Sequence, residues 1–326
     1  MRRILLVLAF ALAALSPATA DGIVPAGGWR SSEARAHPLV GRIVDTATGA
    51  ALAPEALRQR IASHAIVLIG EVHDNADHHL LQAEMIAGKA AAVFEHLRAD
   101  QQPALDALET ARVDGKPLPA AGELLERLAW STSGWPDASL FAPLFAAALA
   151  QRSAIVSGDP ARATIRDIAR SGLGGIVPRD RVRLGLGQSL GEVREARLLD
   201  ELEASHCGLM PRAAFATMAA AQRYRDAHLA DRLAGAFAAH GSAALLAGNG
   251  HVRKDRGVPW YLARRHPPVP ALVVSLVELQ DDRTDLGDYV ERGPEGTPTA
   301  DIVVLTPRAA RPDPCEEMRR AFAPRR

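Results

Sequence analysis

The sequence predicts an α/β fold: a mostly parallel central sheet with helices on both faces and a helical insertion. Three observations lead there. Apolar runs of strand length recur along the chain, they are continuously apolar rather than alternating, and stretches of helical periodicity separate them. Continuous apolar runs suit parallel strands covered on both faces, and their alternation with helices is the pattern of a wound α/β sheet.

The first twenty residues stand apart from that pattern. Arg2 and Arg3 precede an apolar stretch from Ile4 to Leu15, followed by Pro17 and the triplet Ala18-Thr19-Ala20. This is the layout of a signal peptide over residues 1–20, too short to span a bilayer, with cleavage expected after Ala20. No cysteine stands at the cleavage site to accept a lipid, so a periplasmic or secreted, soluble protein is expected. Residues 21–37, polar and glycine-containing, read as a linker. The α/β domain is expected over 38–308 and a flexible tail over 309–326.

Within the domain, the segment 39–52 reads as a short strand and turn, and a helix follows near Pro54 to Ser63. The strand candidates are AIVLIG (65–70), AAVFEH (91–96), AIVSGD (154–159), AALLAGNG (243–250), ALVVSLVEL (271–279) and DIVVLTP (301–307). Between about 103 and 150 the periodicity is helical, and this stretch reads as the insertion. From Pro211 a long helix runs to about His240, with Phe215, Met218, Gln222, Asp226, Leu229, Leu233 and Phe237 on one face. Asp226 thus falls inside an apolar stripe. Burial of an unpartnered carboxylate is costly, so Asp226 should meet an arginine, or else a site histidine that it orients.

Composition narrows the partners. Basic and acidic residues balance at 38 each, which gives no electrostatic reason to expect nucleic acid. The two cysteines, Cys207 and Cys315, could pair in an oxidising compartment, but their spacing alone does not say whether they meet.

Ligands of a parallel sheet gather beyond the carboxyl ends of its strands. There the first long strand releases Glu71 and His73, the second carries Glu95 and His96, the third ends in Gly158-Asp159, and the fourth releases Asn249 and His251. Gly70, Gly248 and Gly250 flank these groups, where the backbone must turn sharply or be approached closely. Asp74, Asp77, His78 and His79 read as a helix N-terminus facing water, a position that suits aspartate. Glu71, His73, Glu95 and His251 are the residue types that hold one divalent metal or activate water directly; His73, His251 and Glu95 would be the ligands of a zinc or manganese ion.

Taken together, LIGEVHDNADHHLLQAE, HCG, AQRYRDAHLADRL and LLAGNGHVRKDRGVPWYL resemble the ChaN family of bacterial haem-binding, iron-regulated proteins, within a superfamily that includes the Tiki metalloproteases and erythromycin-esterase-like hydrolases. The resemblance runs from about Val40 to Pro307. It implies an α/β fold with a helical insertion, export to the cell envelope, and haem or iron uptake, with a homodimer in which two haems stack and an outer-membrane haem or iron receptor as a further partner. The superfamily's G-E-x-H element falls on Gly70, Glu71 and His73, its next acidic residue on Glu95, its arginine-aspartate pair on Arg225 and Asp226, and its G-x-x-H element on Gly248 and His251. Glu71, His73, Glu95, Arg225, Asp226, Asn249 and His251 are expected cofactor-binding residues. The family's haem ligand is expected to be a tyrosine; the chain offers Tyr224, Tyr261 and Tyr289, and has Phe141 where relatives carry a tyrosine. Tyr261, in the arginine-rich segment HVRKDRGVPWYLARR, is the candidate axial ligand, the alternative for Trp260 and Tyr261 being ordinary helix packing. Haem binding is the leading expectation, and a metal- or Glu/His-dependent hydrolase the alternative.

Overall fold

The structure is a computed structural model that describes residues 22–265 and 270–322; the expected signal peptide lies outside the described residues. Eight strands form one sheet: β1 (Ile43–Asp45), β2 (Ala51–Leu52), β3 (Ile66–Glu71), β4 (Ala91–Arg98), β5 (Ala154–Asp159), β6 (Ala243–Gly248), β7 (Ala271–Glu278) and β8 (Ile302–Thr306). Their order is β2-β1-β8-β7-β3-β6-β4-β5. The six strands from β8 to β5 are mutually parallel, and the β1–β2 hairpin adds to the β8 edge antiparallel. The expected α/β class is the observed one.

Each apolar run became a strand because both of its faces are covered. On β3, Val67 and Ile69 enter the core on one side of the sheet, while Ile66 and Leu68 enter the core on the other. The first side is roofed by α1 (Pro54–Ser63), α2 (Ala76–Met85) and the helices of the insertion, α3 (Gln102–Val113), α4 (Ala121–Arg127) and α5 (Ala138–Ala150). The second side carries α6 (Arg162–Ser171), α7 (Pro178–Arg183), α8 (Glu192–Ser205), the long α9 (Phe215–His240), the single turn α10 (Asn249–Val252) and α11 (Val258–Arg265). A last helix, α12 (Pro314–Phe322), follows β8.

Two end segments differ from expectation. Residues 22–37, read as a linker, are laid onto the domain: the Arg30 and Ser31 amides donate to the Asp77 carboxylate at 2.7 and 2.9 Å, and Glu33 pairs with Arg308 in an antiparallel bridge. Buried Asp77 supplies two acceptors that water does not reach, which fixes the segment's backbone. The tail read as flexible is tied by a disulfide between Cys207 and Cys315 and by Arg311, which pairs with Asp74 and Glu278. Neither anchor leaves a local signature in a charged, proline-rich sequence.

The chain leaves β3 for β4, β5 and β6 on one side, then crosses to β7 and β8 on the other. Glu71 and His73 therefore lie at the carboxyl end of the strand where the winding reverses, the place where open α/β sheets bind ligands.

Candidate functional site

Register sets the site. Glu71 lies opposite Gly248, and Phe94 opposite Leu246, so Glu95 emerges one step beyond the paired part of β4 toward the end of β6. Its Oε2 accepts the Gly248 amide at 2.7 Å; its Oε1 lies 2.8 Å from Arg225 Nη2 and 3.1 Å from His251 Nε2. The other His251 nitrogen, Nδ1, lies 2.5 Å from Asp226 Oδ1 and 3.1 Å from the Gln222 side-chain nitrogen. Arg225 continues to Asp159 at 2.7 Å. Asp226 thus meets a site histidine, the second of its two expected partners.

Glu71 builds the adjoining half. Its side chain is fully buried; Oε1 accepts from His73 Nδ1 at 2.8 Å and His96 Nε2 at 2.7 Å. Its Oε2 lies 3.0 Å from His79 Nε2, yet neither atom has the angles of a hydrogen bond. The other ring nitrogen of His79, Nδ1, lies 3.0 Å from the Leu140 carbonyl oxygen. His73 is the partly open member of the cluster, with 34% of its side chain exposed; its Nε2 is 4.0 Å from Glu95 Oε2. The ligand atoms of Glu71, His73 and His96 all lie within 4.8 Å of one another.

Two glycines permit this arrangement. A Cβ on Gly248 would sit 2.8 Å from His73 Nε2, so the ring can lie across the end of β6 only over a bare backbone. A Cβ on Gly70 would stand 2.2 Å from Asn249 Oδ1.

Electrostatics follow the contacts. Burial alone would raise the Glu71 carboxyl, but the charges of His79 and His96 and the His73 hydrogen bond hold it well below the usual carboxylate range. Glu95 is likewise held low against its burial, by His251 and Arg225. Burial opposes the charged form of His251, yet Glu95 and Asp226 push it up to about 10. His73 is raised in the same way, its burial outweighed by Glu71 and Glu95. Asp159 is raised by burial despite Arg225.

A cleft of about 360 Å³ is lined by Trp135, Ile165, Asp159, Arg225, Arg98, Arg162 and Arg166 among others. The Trp135 ring lies 4.8 Å from the His73 ring, and its indole N–H donates to the His96 carbonyl at 3.0 Å, which fixes the insertion against β4. The wall carries four arginines against one carboxylate.

The profile of the family described as haem-binding uptake, Tiki superfamily, ChaN, matches residues 57–262. This chain belongs to the ChaN family. No curated protein matches it significantly by sequence. Among solved structures, that of cofacial haem binding to ChaN of Campylobacter jejuni superposes with a TM-score of 0.60 at 21% identity, covering 81% of this chain and 95% of that one. The type III effector HopBA1 (TM-score 0.37, 14% identity, 78% and 92% covered) and a Bacillus cereus protein (0.38, 13%, 78% and 90%) are more remote.

In this ChaN-family chain, Glu71, His73, Glu95, Arg225, Asp226 and His251 converge. Three expectations are corrected. The set His73, His251 and Glu95 is not a free ligand set: both nitrogens of His251 and both oxygens of Glu95 are taken by neighbours. His96 completes the geometry that His251 does not. His78 and His79 do not face water; both are fully buried, and so is Asp77. His78 accepts the Val72 amide, meets Thr306 Oγ1 at 2.7 Å, and is pushed down to about 4 by burial. The helix is capped by Asn75, which accepts from the Asp77 and His78 amides.

Tyr261 does not reach the cluster. It is wholly buried, its hydroxyl faces Arg223 at 3.5 Å, and burial pushes it up to about 12. Tyr224 and Tyr289 are buried too, and Phe141 is enclosed, its ring 4.0 Å from that of His79. Arg253 and Arg256, in the same arginine-rich segment as Tyr261, are buried in ion pairs with Asp255, Glu291 and Glu201. Asn249 uses its amide to hold the Leu276 carbonyl at 2.7 Å.

Proposed function

We propose that this ChaN-family protein binds haem at the carboxyl edge of the sheet, with His73 as the iron ligand and Arg98, Arg162 and Arg166 receiving the propionates. The observation that carries the reading is the arginine-lined cleft whose wall residue Trp135 packs its ring 4.8 Å from that of His73. Haem needs an apolar wall, an axial ligand and cations for its carboxylates, and these residues offer all three. With all three tyrosines buried, His73 is the accessible donor: Glu71 holds its Nδ1, leaving Nε2 for iron. A carboxylate behind a ligating imidazole raises its basicity and fixes its ring. Bound haem would supply a redox-active iron with an exchangeable position. Haem uptake or handling after export through the leader at 1–20, two copies pairing so that their haems stack, and delivery from an outer-membrane receptor complete the proposal. Titration with haem, followed by absorbance, tests it: a saturable Soret shift is expected in wild type and not in His73→Ala.

A second reading has its own support. Glu71, His73 and His96 bring three ligand atoms together, and Glu71 Oε2 and His79 Nε2 are buried face to face without a hydrogen bond. A zinc or manganese ion there would answer both facts and serve the hydrolase alternative. Glu95 is then no general base, since its oxygens are engaged. Metal analysis of protein as isolated tests this: stoichiometric metal lost in His96→Ala supports it, and metal-free wild type refutes it.

A further inference from the structure

We propose that the Cys207–Cys315 cystine is a thiol-exchange site whose reduction by a dithiol loosens the loop that carries His73. The inference holds whichever ligand the site takes. After β8 the chain runs along the carboxyl edge of the sheet and grips this loop from outside. The Pro307 carbonyl accepts from Asn75 Nδ2 at 3.0 Å, and the Ala309 amide donates to Glu278 Oε1 at 2.9 Å. Arg311 then makes two hydrogen bonds of 2.7 Å to Asp74 and two more of 2.7 Å to Glu278. Asp74 directly follows His73, so the guanidinium fixes the backbone that aims the imidazole.

The cystine adds a covalent anchor just beyond Arg311. Three residues separate Arg311 from Cys315, and two of them, Pro312 and Pro314, have fixed φ angles, so the segment acts as a stiff link. Cys315 is bonded to Cys207 in the turn between α8 and α9, 108 residues away in sequence. Among the described residues, the hydrogen bonds of α12 stay within the helix and its cap, as in Glu316–Arg320 and Asp313 with the Cys315 and Glu317 amides. Without the cystine, the far end of the link has no comparable anchor. Both cysteines are partly exposed.

The exchange is balanced. One thiolate of the dithiol attacks a cystine sulfur, the sulfur–sulfur bond breaks, and the other cysteine leaves as thiolate and takes a proton. The second thiol of the reagent attacks the mixed disulfide, releasing the second cysteine. Two electrons and two protons pass to the protein, and the reagent becomes a disulfide.

The test is amide hydrogen exchange of the full chain, oxidised and after dithiothreitol, with Cys315→Ser and Arg311→Gln variants and circular dichroism to verify that each remains folded. Reduction and Cys315→Ser should each speed exchange at residues 72–75 by about tenfold or more, with the β3 core unchanged. Arg311→Gln should do the same with the cystine intact, and reduction should then add nothing further. Faster exchange confined to α12, with residues 72–75 unchanged on reduction, would overturn the proposal. So would a cystine that dithiothreitol opens only in denaturant.

Discussion

Asp226 Oδ1 lies 2.5 Å from His251 Nδ1, and the opposite nitrogen of that ring lies 3.1 Å from Glu95 Oε1. One imidazole therefore bridges two buried carboxylates, and its charge favours their ionised forms; Arg225 adds to this at Glu95, while burial still raises Asp226.

The bridge makes stability depend on pH. Burial lowers His251, but Glu95 and Asp226 push it up to about 10 from an ordinary 6.5. A raised folded value gives stability that is fully present below about pH 6.5 and lost as pH rises through about 10. In ligand-free protein, the unfolding free energy from denaturant titrations should fall across this window by an amount on the order of 1–4 kcal/mol. Asp226→Asn should flatten the fall and lower the His251 titration followed by NMR.

Gly248→Ala tests the close approach of His73. The glycine has a φ of −58°, which alanine adopts without strain, so the substitution acts through the ring that lies 2.8 Å from the new Cβ. Haem affinity should fall about tenfold or more, roughly 1.4 kcal/mol, with secondary structure retained. Gly70→Ala is different: its Cβ meets Asn249 and Val252 in packed surroundings, and should cost about 1–3 kcal/mol of stability by overpacking.

The cleft arginines should act on anionic ligands without supporting the fold. Arg162 and Arg166 are exposed, and the double change to alanine should weaken haem several-fold while leaving the thermal midpoint nearly unchanged. Raised salt should weaken wild-type binding and affect the double variant less.

How much was legible depends on where the cause lies. Strands β3 to β8 and α1 were readable because two-sided burial writes itself into a local run. Glu71, Glu95 and His251 were readable because parallel strands deliver their last residues to one edge. His96 and His79 were not assigned to the site, because what surrounds them comes from the insertion: Leu140, Phe141, Trp130 and Trp135 lie dozens of residues away. Asp77 and His78 looked like a solvated helix start for the same reason, since the segment at Arg30 and Ser31 and the end of β8 cover them. Tyr261 misled because an aromatic pair among arginines reads alike in a ligand slot and in a packed helix with buried ion pairs. The register that places Gly248 beneath His73 has no local signal at all.

A haem titration of wild type, His73→Ala and Tyr261→Phe, followed at the Soret band, tests the central claim most directly. A saturable shift in wild type, weakened at least about tenfold in His73→Ala and unchanged in Tyr261→Phe, is the predicted result. No saturable shift in wild type, or a shift that survives in His73→Ala and is lost in Tyr261→Phe, would contradict it.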